Sequence, residues 1–436
     1  MTLAKHIETS EPSVSALDAI RLPRHRWYFF KEAFSPDIVT HAIKETACKR
    51  GDLVVDPFSG SGTTVLAAAR KGLSARGSEV NPFLAFVAHT KLTNPRVAAL
   101  ESLTDDMIRS ARRGKRSPLQ GFSTFTAKDG VDKWLFNDSV LQAFTGGWGA
   151  ATTIPTHSRS VIRLALLGAA MDTCNAVRDG KCLRYRSDWQ ESTFDKDDFC
   201  DAFEARMVAI TDDVATAPVE AGLAKIRVGD SRIAGVSGGK RFKLCVMSPP
   251  YLNSFDYTDV YRPELFLGGF VKDMADLRRL RLTSLRSHVQ VKWSEPQEQK
   301  FGAHFDTAYD SITSRAEKLW NRRIPMMLKA YFEDMHRVLR SLRDEADDGA
   351  SLWIVVSTSA YAGVEIPVDL ILADVGCQVG WVLREVRTLR HLRRLPVQQW
   401  GQLAAAALGK VSSESRSHAG PHLRESLIIL DATVRK

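Results

Sequence analysis

The sequence lacks the patterns that define a secreted, membrane-spanning or metal-binding protein. Its 436 residues include six cysteines, none of them in a CxxC pair or at a zinc-ligand spacing, and eleven histidines that form no HExxH motif. No run approaches the roughly 20 apolar residues of a membrane span, and the polar start, 1–18, has no apolar signal core. We therefore expect reduced thiols, no metal ion, and a soluble cytoplasmic protein.

Acidic residues are somewhat fewer than basic ones. The chain carries 60 Lys and Arg against 51 Asp and Glu, a formal net charge of +9. Such an excess favours a polyanionic partner, although an excess of this size also occurs where it serves only solubility. The remaining composition, 44% hydrophobic and 25% charged, is that of an ordinary globular protein. The length allows two or three domains.

A glycine-rich loop follows the first strand-like pattern of the chain. The apolar run that ends in Asp56 turns through the sequence DPFSGSG and enters an alanine-rich helical pattern at Thr63. This order of strand, tight loop and helix predicts the first unit of a nucleotide-binding α/β sheet. No lysine follows Gly62, which excludes the phosphate-binding G-x-x-x-x-G-K-[ST] loop. Glu79 closes the next strand-like run, where an acid that bonds ribose hydroxyls is found in such sheets.

A second strand-like run, 242–247, stops at the tetrapeptide Ser248-Pro249-Pro250-Tyr251. The prolines fix their own φ angles and push Ser248 and Pro249 toward extended geometry, so the tetrapeptide is stiff. Stiff segments at the carboxyl ends of sheet strands are where α/β enzymes build their sites. Taken alone, the tetrapeptide is equally typical of a rigid turn that ends a strand.

The pattern along the chain suggests an interrupted α/β domain. We predict a loose leader at 1–22, a first domain segment at 23–95, a mostly helical insert without clear strands at 96–224, and a second domain segment at 225–436. Within the last segment we expect one long helical region at 309–342, an acidic turn at 344–349, and a loop rich in Ala, Gly and Ser at about 401–420. Strands are expected at 351–357, 381–386 and 426–430.

DPFSGSGTT together with SPPY resembles the motifs of the S-adenosylmethionine-dependent DNA amino-methyltransferases of the N4-cytosine and N6-adenine type, with the glycine loop preceding SPPY. The resemblance covers 25–95 and 225–360. It implies a Rossmann-like methyltransferase sheet, mostly parallel with a terminal antiparallel strand, plus a large helical insert. It also implies S-adenosyl-L-methionine as cofactor, double-stranded DNA and a cognate restriction endonuclease as partners, and a place at the nucleoid of a prokaryotic cell.

The resemblance also implies roles for individual residues. The Ser248 hydroxyl and the Pro249 carbonyl would accept hydrogen bonds from the target amine, and the Tyr251 ring would stack on a flipped base, with Pro250 completing the catalytic tetrapeptide. Glu79 would hold the ribose hydroxyls and Asp230 the adenine amino group. Phe34 belongs to an aromatic segment that would pack over the methionine end of the cofactor. The cofactor-binding set is Phe34, Asp56, Pro57, Phe58, Gly60, Gly62, Thr63, Thr64, Glu79, Asn81 and Asp230.

Ser248 favours cytosine as the target, because adenine enzymes of this resemblance mostly carry Asp or Asn at that position. We therefore predict N4-methylcytosine formation within a specific DNA sequence, in restriction–modification or epigenetic marking. Three alternatives stay open: N6-adenine methylation, RNA amino-methylation, and a catalytically silent nucleic-acid binder. A cytosine-C5 enzyme would need a Pro-Cys pair, which the chain does not have.

Two basic clusters are candidates for contacts with phosphates. They consist of Arg112, Arg113, Lys115 and Arg116, and of Arg278, Arg279 and Arg281. The alternative for both clusters is a solvated surface. The first cluster lies in the helical insert, which would serve either target recognition or a structural role as a lid or dimer surface.

Overall fold

The computed structural model describes residues 19–178, 183–233, 235–297, 300–392 and 423–433. These residues belong to two compact units. The first unit comprises the described parts of Ser15–Met247 and Asp256–Ser284, and the second comprises those of Ser248–Phe255 and Leu285–Lys436. Most of the predicted leader and the whole predicted loop at 401–420 lie outside the described residues. The segment boundaries proposed from the sequence remain predictions.

The first unit is built on four parallel strands. Its strands are β1 (Leu53–Asp56), β2 (Ser74–Glu79), β3 (Ala176–Arg178), β4 (Leu183–Tyr185), β5 (Ala224–Val228) and β6 (Phe242–Met247). The parallel strands lie in the order β6-β1-β2-β5. The chain therefore runs outward from β1 through β2 to β5 and then returns to the opposite side of β1. The chain thus changes direction between β1 and β6, and sheets of this kind bind ligands at the carboxyl ends of the strands beside such a point.

Helices cover this sheet and form the insert. They are α1 (Pro36–Glu45), α2 (Thr63–Arg70), α3 (Pro82–Lys91), α4 (Val97–Arg113), α5 (Asp138–Ala150), α6 (Thr156–Asp172), α7 (Lys196–Thr216), α8 (Tyr257–Val260), α9 (Arg262–Leu267) and α10 (Met274–Thr283). α2 packs on β1 and β2, and α3 packs on β2 and β5. Asn81 begins α3 by accepting a hydrogen bond from the Phe83 N–H at 3.0 Å, with Pro82 as the first helical residue.

The predicted helical insert contains α4 to α7, with α4 against α5 and α7, and α6 against α7 and α3. α7 begins with a capping box between Asp195 and Asp198. The expectation that this interval has no strands is wrong, because β3 and β4 form a two-stranded antiparallel sheet. Each of these strands is only three residues long. That is too short for the two-residue periodicity that identifies a strand from sequence.

The described part of the second unit contains β-strands that pair antiparallel in two groups, three α-helices, and a short 3-10 helix (Ala316–Lys318) between the first two of these α-helices. Its elements are α11 (Ala303–Thr313), α12 (Ile324–Glu345), β7 (Ala346–Ser357), β8 (Ser359–Tyr361), β9 (Val364–Ile366), α13 (Val368–Gln378), β10 (Trp381–His391) and β11 (Arg424–Ala432). The three long strands lie in the order β10-β11-β7 and pair antiparallel, while β8 pairs with β9. Ile354, Val355 and Val356 of β7 are fully buried, as the apolar run predicts.

Two expectations for this unit are wrong. The helical region predicted at 309–342 is two helices, α11 and α12, separated by 314–323. The acidic turn predicted at 344–349 is also absent, because α12 continues to Glu345 and β7 begins at Ala346. Asp347, Asp348 and Gly349 are exposed at the start of that strand. Where a strand extends beyond the hydrophobic core it carries polar residues, and a run of Asp and Gly is also typical of turns.

The predicted fold class is confirmed. The chain is α/β, with a Rossmann-like parallel sheet, a large helical insert, and a terminal strand, β11, that pairs antiparallel on both sides. Within the described residues, no helix is both long and apolar enough to cross a membrane.

Candidate active site

The glycine loop between β1 and α2 has a backbone that requires glycine at two positions. Gly60 has φ of 49° and Gly62 has φ of 89°, both in the left-handed region. A Cβ atom on Gly62 would lie 2.8 Å from Cβ of Ala88 in α3, closer than two such carbon atoms approach. The loop therefore packs tightly against α3, with no room for a larger residue at Gly62.

The carboxylate of Glu79 fixes this loop from the end of the neighbouring strand. Its Oε2 accepts a hydrogen bond from the Gly60 N–H at 2.8 Å, and its Oε1 accepts one from the Asn81 N–H, also at 2.8 Å. Burial raises the pKa of Glu79, and these backbone donors oppose the rise. Glu79 thus organises the loop in addition to any contact it makes with a ribose, and a carboxylate has lone pairs for both.

Asp56 is buried at the carboxyl end of β1 with one oxygen free. Its Oδ1 accepts a hydrogen bond from the Phe58 N–H at 2.9 Å, whereas Oδ2 has no partner among the described residues. The nearby Thr64 hydroxyl donates instead to the Val246 carbonyl of β6, at 3.0 Å. Burial raises the pKa of Asp56 to about 7. A buried carboxylate oxygen without a partner fits a ligand that brings a positive charge.

A second buried polar atom lacks a partner at this edge. Nδ2 of Asn81 has none among the described residues, although Oδ1 of the same side chain caps α3. The N-terminus of α2 also has no side-chain cap and no acid in its first turn. Its free N–H groups and helix dipole favour a negative group. This edge therefore combines an orphaned acceptor, an orphaned donor and an anion-binding helix end, a set that fits the zwitterionic amino acid part of S-adenosylmethionine.

The aromatic segment before α1 reaches the loop through Phe30, which the sequence analysis did not select. The Phe30 ring lies so close to Gly60 that a Cβ there would be 2.9 Å from Cε1. Phe30 also contacts the ring of Tyr261, with 5.5 Å between ring centroids. The predicted cofactor residue Phe34 is buried just before Ser35, the N-cap of α1. The sequence offered no signal to choose among the aromatic residues of 27–34.

A buried polar network next to these rings was also missed. Glu264 of α9 is fully buried and accepts hydrogen bonds from the Tyr28 hydroxyl and from Nη2 of Arg178 in β3. The Arg178 guanidinium lies over the ring of Tyr261, 4.4 Å from its centroid, and the Tyr261 hydroxyl donates to Oε2 of Glu32 at 2.7 Å. The network joins the insert, the aromatic segment and α9. None of its members belongs to a motif.

Asp230 lies two residues beyond Val228, the last residue of β5. Its carboxylate forms an ion pair with Arg232, with 2.6 Å between Oδ2 and Nη2. β5 pairs with β2, with Val228 opposite Glu79, so Asp230 follows the strand next to the ribose-binding candidate. The predicted contact between Asp230 and the adenine of the cofactor remains a prediction.

Several members of the two predicted basic clusters are held in ion pairs. Arg112 pairs with Asp197 at 3.3 Å, and Arg281 pairs with Asp256 at 2.6 Å and with Asp259 at 3.2 Å. Arg279 pairs with Asp276 in the same helix. Arg113, Lys115, Arg116 and Arg278 are exposed. Contact of these clusters with phosphates remains a prediction.

The Ser-Pro-Pro-Tyr tetrapeptide belongs to the second unit and directly follows Met247, the last residue of β6. Ser248 is half-buried, and none of the described residues forms a hydrogen bond with its hydroxyl. The Tyr251 hydroxyl donates to Oε1 of Glu425 at 2.7 Å, and Oε2 of Glu425 accepts from Nε of Arg390, also at 2.7 Å. β10 and β11 therefore fix the direction of the Tyr251 ring.

The next residue is anchored as well, since the buried Tyr361 hydroxyl donates to the Leu252 carbonyl at 2.9 Å. Pro249 is buried and Pro250 half-buried. Across the described ranges, no group of three or more His, Cys, Asp or Glu side chains is placed to hold a metal ion.

Comparison with known proteins finds similarity along the chain. A family model for N6- and N4-type methyltransferases, described as DNA methylase, matches residues 20–88, from the aromatic segment to α3. The Type II methyltransferase M.AvaI of Nostoc sp. (strain PCC 7120) is 24% identical over 423 residues, which cover 89% of this chain and 85% of that protein. M.BsoBI of Geobacillus stearothermophilus, also a Type II methyltransferase, is 24% identical over 435 residues, with 88% and 84% covered.

Among solved structures, TrmN from Thermus thermophilus is similar to 95% of this chain and is covered over 53% of its own length. Its sequence identity is 8% and its TM-score is 0.31. The fold is therefore defined by the strand order of this chain and not by that likeness.

Proposed function

We propose that this chain, which belongs to the S-adenosylmethionine-dependent DNA amino-methyltransferases, methylates the exocyclic N4 amine of cytosine in duplex DNA. The observation that carries the choice of cytosine is Ser248, a neutral residue at the first position of the tetrapeptide, where adenine enzymes mostly carry Asp or Asn. Its hydroxyl has no partner among the described residues and is available to a substrate amine. The Type II methyltransferases that resemble this chain support a role in restriction–modification, with a cognate endonuclease as partner.

The methyl donor is S-adenosylmethionine, which supplies a methyl group on a sulfonium that needs little further activation. We assign the contacts to the donor as follows. The free Oδ2 of Asp56 faces the positive charge of the donor, the N-terminus of α2 binds its carboxylate, and Glu79 accepts from the ribose hydroxyls. Thr63 and Thr64, both buried, form the first turn of α2 against β6.

The tetrapeptide acts on the nucleophile. The amine of cytosine is weakly nucleophilic because its lone pair is delocalised into the ring. Acceptors at the Ser248 hydroxyl and the Pro249 carbonyl bind the two amino hydrogens and localise that lone pair on nitrogen. The new bond then forms between N4 and the methyl carbon while the carbon–sulfur bond breaks, and the surplus proton on nitrogen leaves to water. Most of the rate gain comes from holding the amine in line with the methyl group.

Tyr251 holds the base outside the duplex. Extrusion of a base from a duplex costs a few kcal/mol. Stacking on an aromatic side chain returns about 1–3 kcal/mol per base. A ring whose hydroxyl is already bonded to Glu425 loses little further freedom when the base arrives.

The test is to incubate the protein with S-adenosylmethionine and duplex DNA, digest the DNA to nucleosides, and identify the product by mass spectrometry. We expect N4-methylcytosine. Ser248→Ala should remove most turnover and leave cofactor binding unchanged, while Ser311→Ala, at a serine of α11 that is half-buried like Ser248, serves as the matched control. A methyladenosine product would overturn the choice of cytosine, and methylation of RNA but not of DNA would overturn the choice of substrate.

A further inference from the structure

Residues 314–323, which connect α11 and α12 and which we call the Trp320 loop, combine an exposed indole with positive charge. Trp320 is 62% exposed and is the one aromatic residue among the exposed large hydrophobic side chains of the described ranges. The loop carries four exposed basic residues and one acidic residue, Glu317. The basic residues are Arg315, Lys318, Arg322 and Arg323. The sequence pattern predicts a continuous helix over this segment, and the segment belongs to neither of the two predicted basic clusters.

The basic side chains of this loop differ from those of the predicted clusters in their partners. Within the described ranges none of the four forms an ion pair with a carboxylate, whereas Arg112 and Arg281 both do. Arg315 donates to the Ala362 carbonyl at 3.4 Å and Arg323 to the Val289 carbonyl at 3.3 Å, so these contacts leave the positive charge uncompensated. An uncompensated cluster of positive charge on a flanking loop attracts polyanions.

The helix that follows the loop, α12, contacts the segment that follows the tetrapeptide. The Ser254 N–H, three residues beyond Tyr251, donates to the Ser287 carbonyl at 3.2 Å, and Nε2 of Gln290 donates to the Ser254 carbonyl at 3.1 Å. The Ser254 hydroxyl contacts Sδ of Met327, in the first turn of α12, at 3.6 Å. Ser254 lies three residues after Tyr251, and Met327 lies four residues after the end of the Trp320 loop. These contacts therefore join chain segments that lie close in sequence to Tyr251 and to the loop.

A large exposed indole flanked by cations matches the chemistry of a nucleic acid. Bases stack on aromatic side chains, and neighbouring Lys and Arg side chains neutralise phosphates with release of counterions. Minor-groove proteins also insert apolar side chains between neighbouring bases and partly unstack them. A purely solvated surface would account for the cations, whereas the indole adds a flat aromatic face on which a base can stack.

We infer that the Trp320 loop is a DNA-binding element, in which Trp320 stacks on a base exposed by extrusion of the target and the basic side chains contact the flanking phosphates. The inference rests on the proposed function and extends it to the duplex around the target. It assigns non-specific affinity, rather than the choice of sequence, to the four cations, because phosphate contacts carry no sequence information directly.

The charge part is tested with two matched double variants. Lys318→Gln with Arg322→Gln removes two charges from the loop, and Lys49→Gln with Lys71→Gln removes two exposed charges elsewhere. Lys49 and Lys71 precede β1 and β2, so they lie at the amino ends of the parallel strands, opposite the glycine loop. The slope of log affinity for duplex DNA against log salt should become shallower by about 0.9 per lost phosphate contact. For the loop variant we expect the slope to change by the amount that corresponds to two lost phosphate contacts. For the control variant we expect the slope of the wild-type protein.

The stacking part is tested with Trp320→Ala and Trp320→Tyr. The alanine variant should bind DNA roughly tenfold more weakly, the equivalent of about 1.4 kcal/mol. It should also give more fluorescence from 2-aminopurine placed beside the target, because stacking on the indole quenches that base. Trp320→Tyr should restore most of both signals. Titration of S-adenosylmethionine should give wild-type affinity for every variant, which shows that each is folded.

The outcomes separate this inference from the function on which it rests. If the wild-type protein methylates DNA but the loop variants match it in salt slope and affinity, the Trp320 loop is not a DNA-binding element. If the wild-type protein binds S-adenosylmethionine but binds no duplex DNA at low salt, the proposed function itself is wrong, and this inference is wrong with it.

Discussion

Oε2 of Glu79 and the N–H of Gly60 lie 2.8 Å apart, so a side chain at the end of β2 holds the backbone of the loop that follows β1. The other oxygen of the same carboxylate holds the Asn81 N–H at the start of α3. One acid therefore positions both segments that border the carboxyl edge of these two strands. A ligand that binds Glu79 therefore meets a carboxylate whose position is already fixed by two backbone hydrogen bonds.

Glu79→Gln should weaken cofactor binding by tenfold or more, because an amide places an NH₂ group against one of two backbone donors. Hydrogen bonds to a charged group contribute about 1.5–3 kcal/mol, so unfolding should also become easier by an amount of that order. Isothermal titration with S-adenosylmethionine and urea denaturation measure the two effects. The control is Glu220→Gln, which alters an exposed acid paired with Arg50. Unchanged affinity in Glu79→Gln would remove this residue from the cofactor site.

The affinity for S-adenosylmethionine should depend on pH through Asp56. Burial raises the pKa of Asp56 to about 7, so the free protein holds it largely protonated below that pH. A cation beside Oδ2 favours the carboxylate, and affinity should therefore rise with pH up to about 7, by about tenfold per pH unit at most, and then level off. In the Asp56→Asn variant, the affinity for S-adenosylmethionine should vary with pH only through ionisation of the ligand. Isothermal titration at several pH values measures this. The same dependence in both proteins would contradict the contact.

The raised pKa of Asp56 also has a consequence for folding. Its ordinary value is 3.8 and its folded value about 7, so the unfolded chain releases this proton first as pH rises. The contribution of Asp56 to stability is thus fully present below 3.8 and is lost as pH rises through about 7. In the absence of ligand, Asp56→Asn should be more stable than the wild-type protein at pH 8, measured by the urea midpoint. Equal midpoints at pH 8 would indicate that Asp56 is not desolvated.

Tyr251→Phe should separate the ring of Tyr251 from its hydroxyl. The phenylalanine ring still stacks on a base but loses the hydrogen bond to Glu425, so kcat should fall several-fold with little change in KM for DNA. Tyr251→Ala should impair both constants. Tyr309→Phe is a matched control, because the Tyr309 hydroxyl bonds no described residue. Equal activity of the phenylalanine and alanine variants would show that the ring does not contact the substrate.

Arg178→Ala should destabilise the first unit strongly, since it leaves the fully buried Glu264 without its cation. Breaking a buried ion pair in this way costs about 3–5 kcal/mol. Arg178→Lys should recover part of the loss, and Arg184→Ala, an exposed residue of the adjacent β4, should change stability by about 0.5 kcal/mol or less. Urea denaturation gives all three values. A small effect of Arg178→Ala would mean that the ion pair with Glu264 does not stabilise the fold.

The sequence alone determined the features that depend on a few consecutive residues. The strand, glycine loop and helix around Gly60 and Gly62 were predictable because only glycine adopts their backbone angles readily. The stiff Ser-Pro-Pro-Tyr segment was predictable because proline fixes its own φ angle. The α/β class followed from the alternation of strand and helix patterns, and the proposal of a cytosine target rests on one residue, Ser248.

Only the tertiary structure decided which distant residues meet. Arg178 and Glu264 are 86 positions apart, and Tyr251 and Glu425 are 174 apart, so no local pattern could pair them. The tertiary structure also shows that Phe30, among the residues of the aromatic segment, contacts the glycine loop, and that several of the predicted basic residues form ion pairs with carboxylates. It places Trp320 in an exposed connection between two helices where the sequence pattern predicts one helix. The physical reason is that backbone preferences act over a few residues. The partners of a buried charge or an exposed ring depend instead on chain segments that folding brings together.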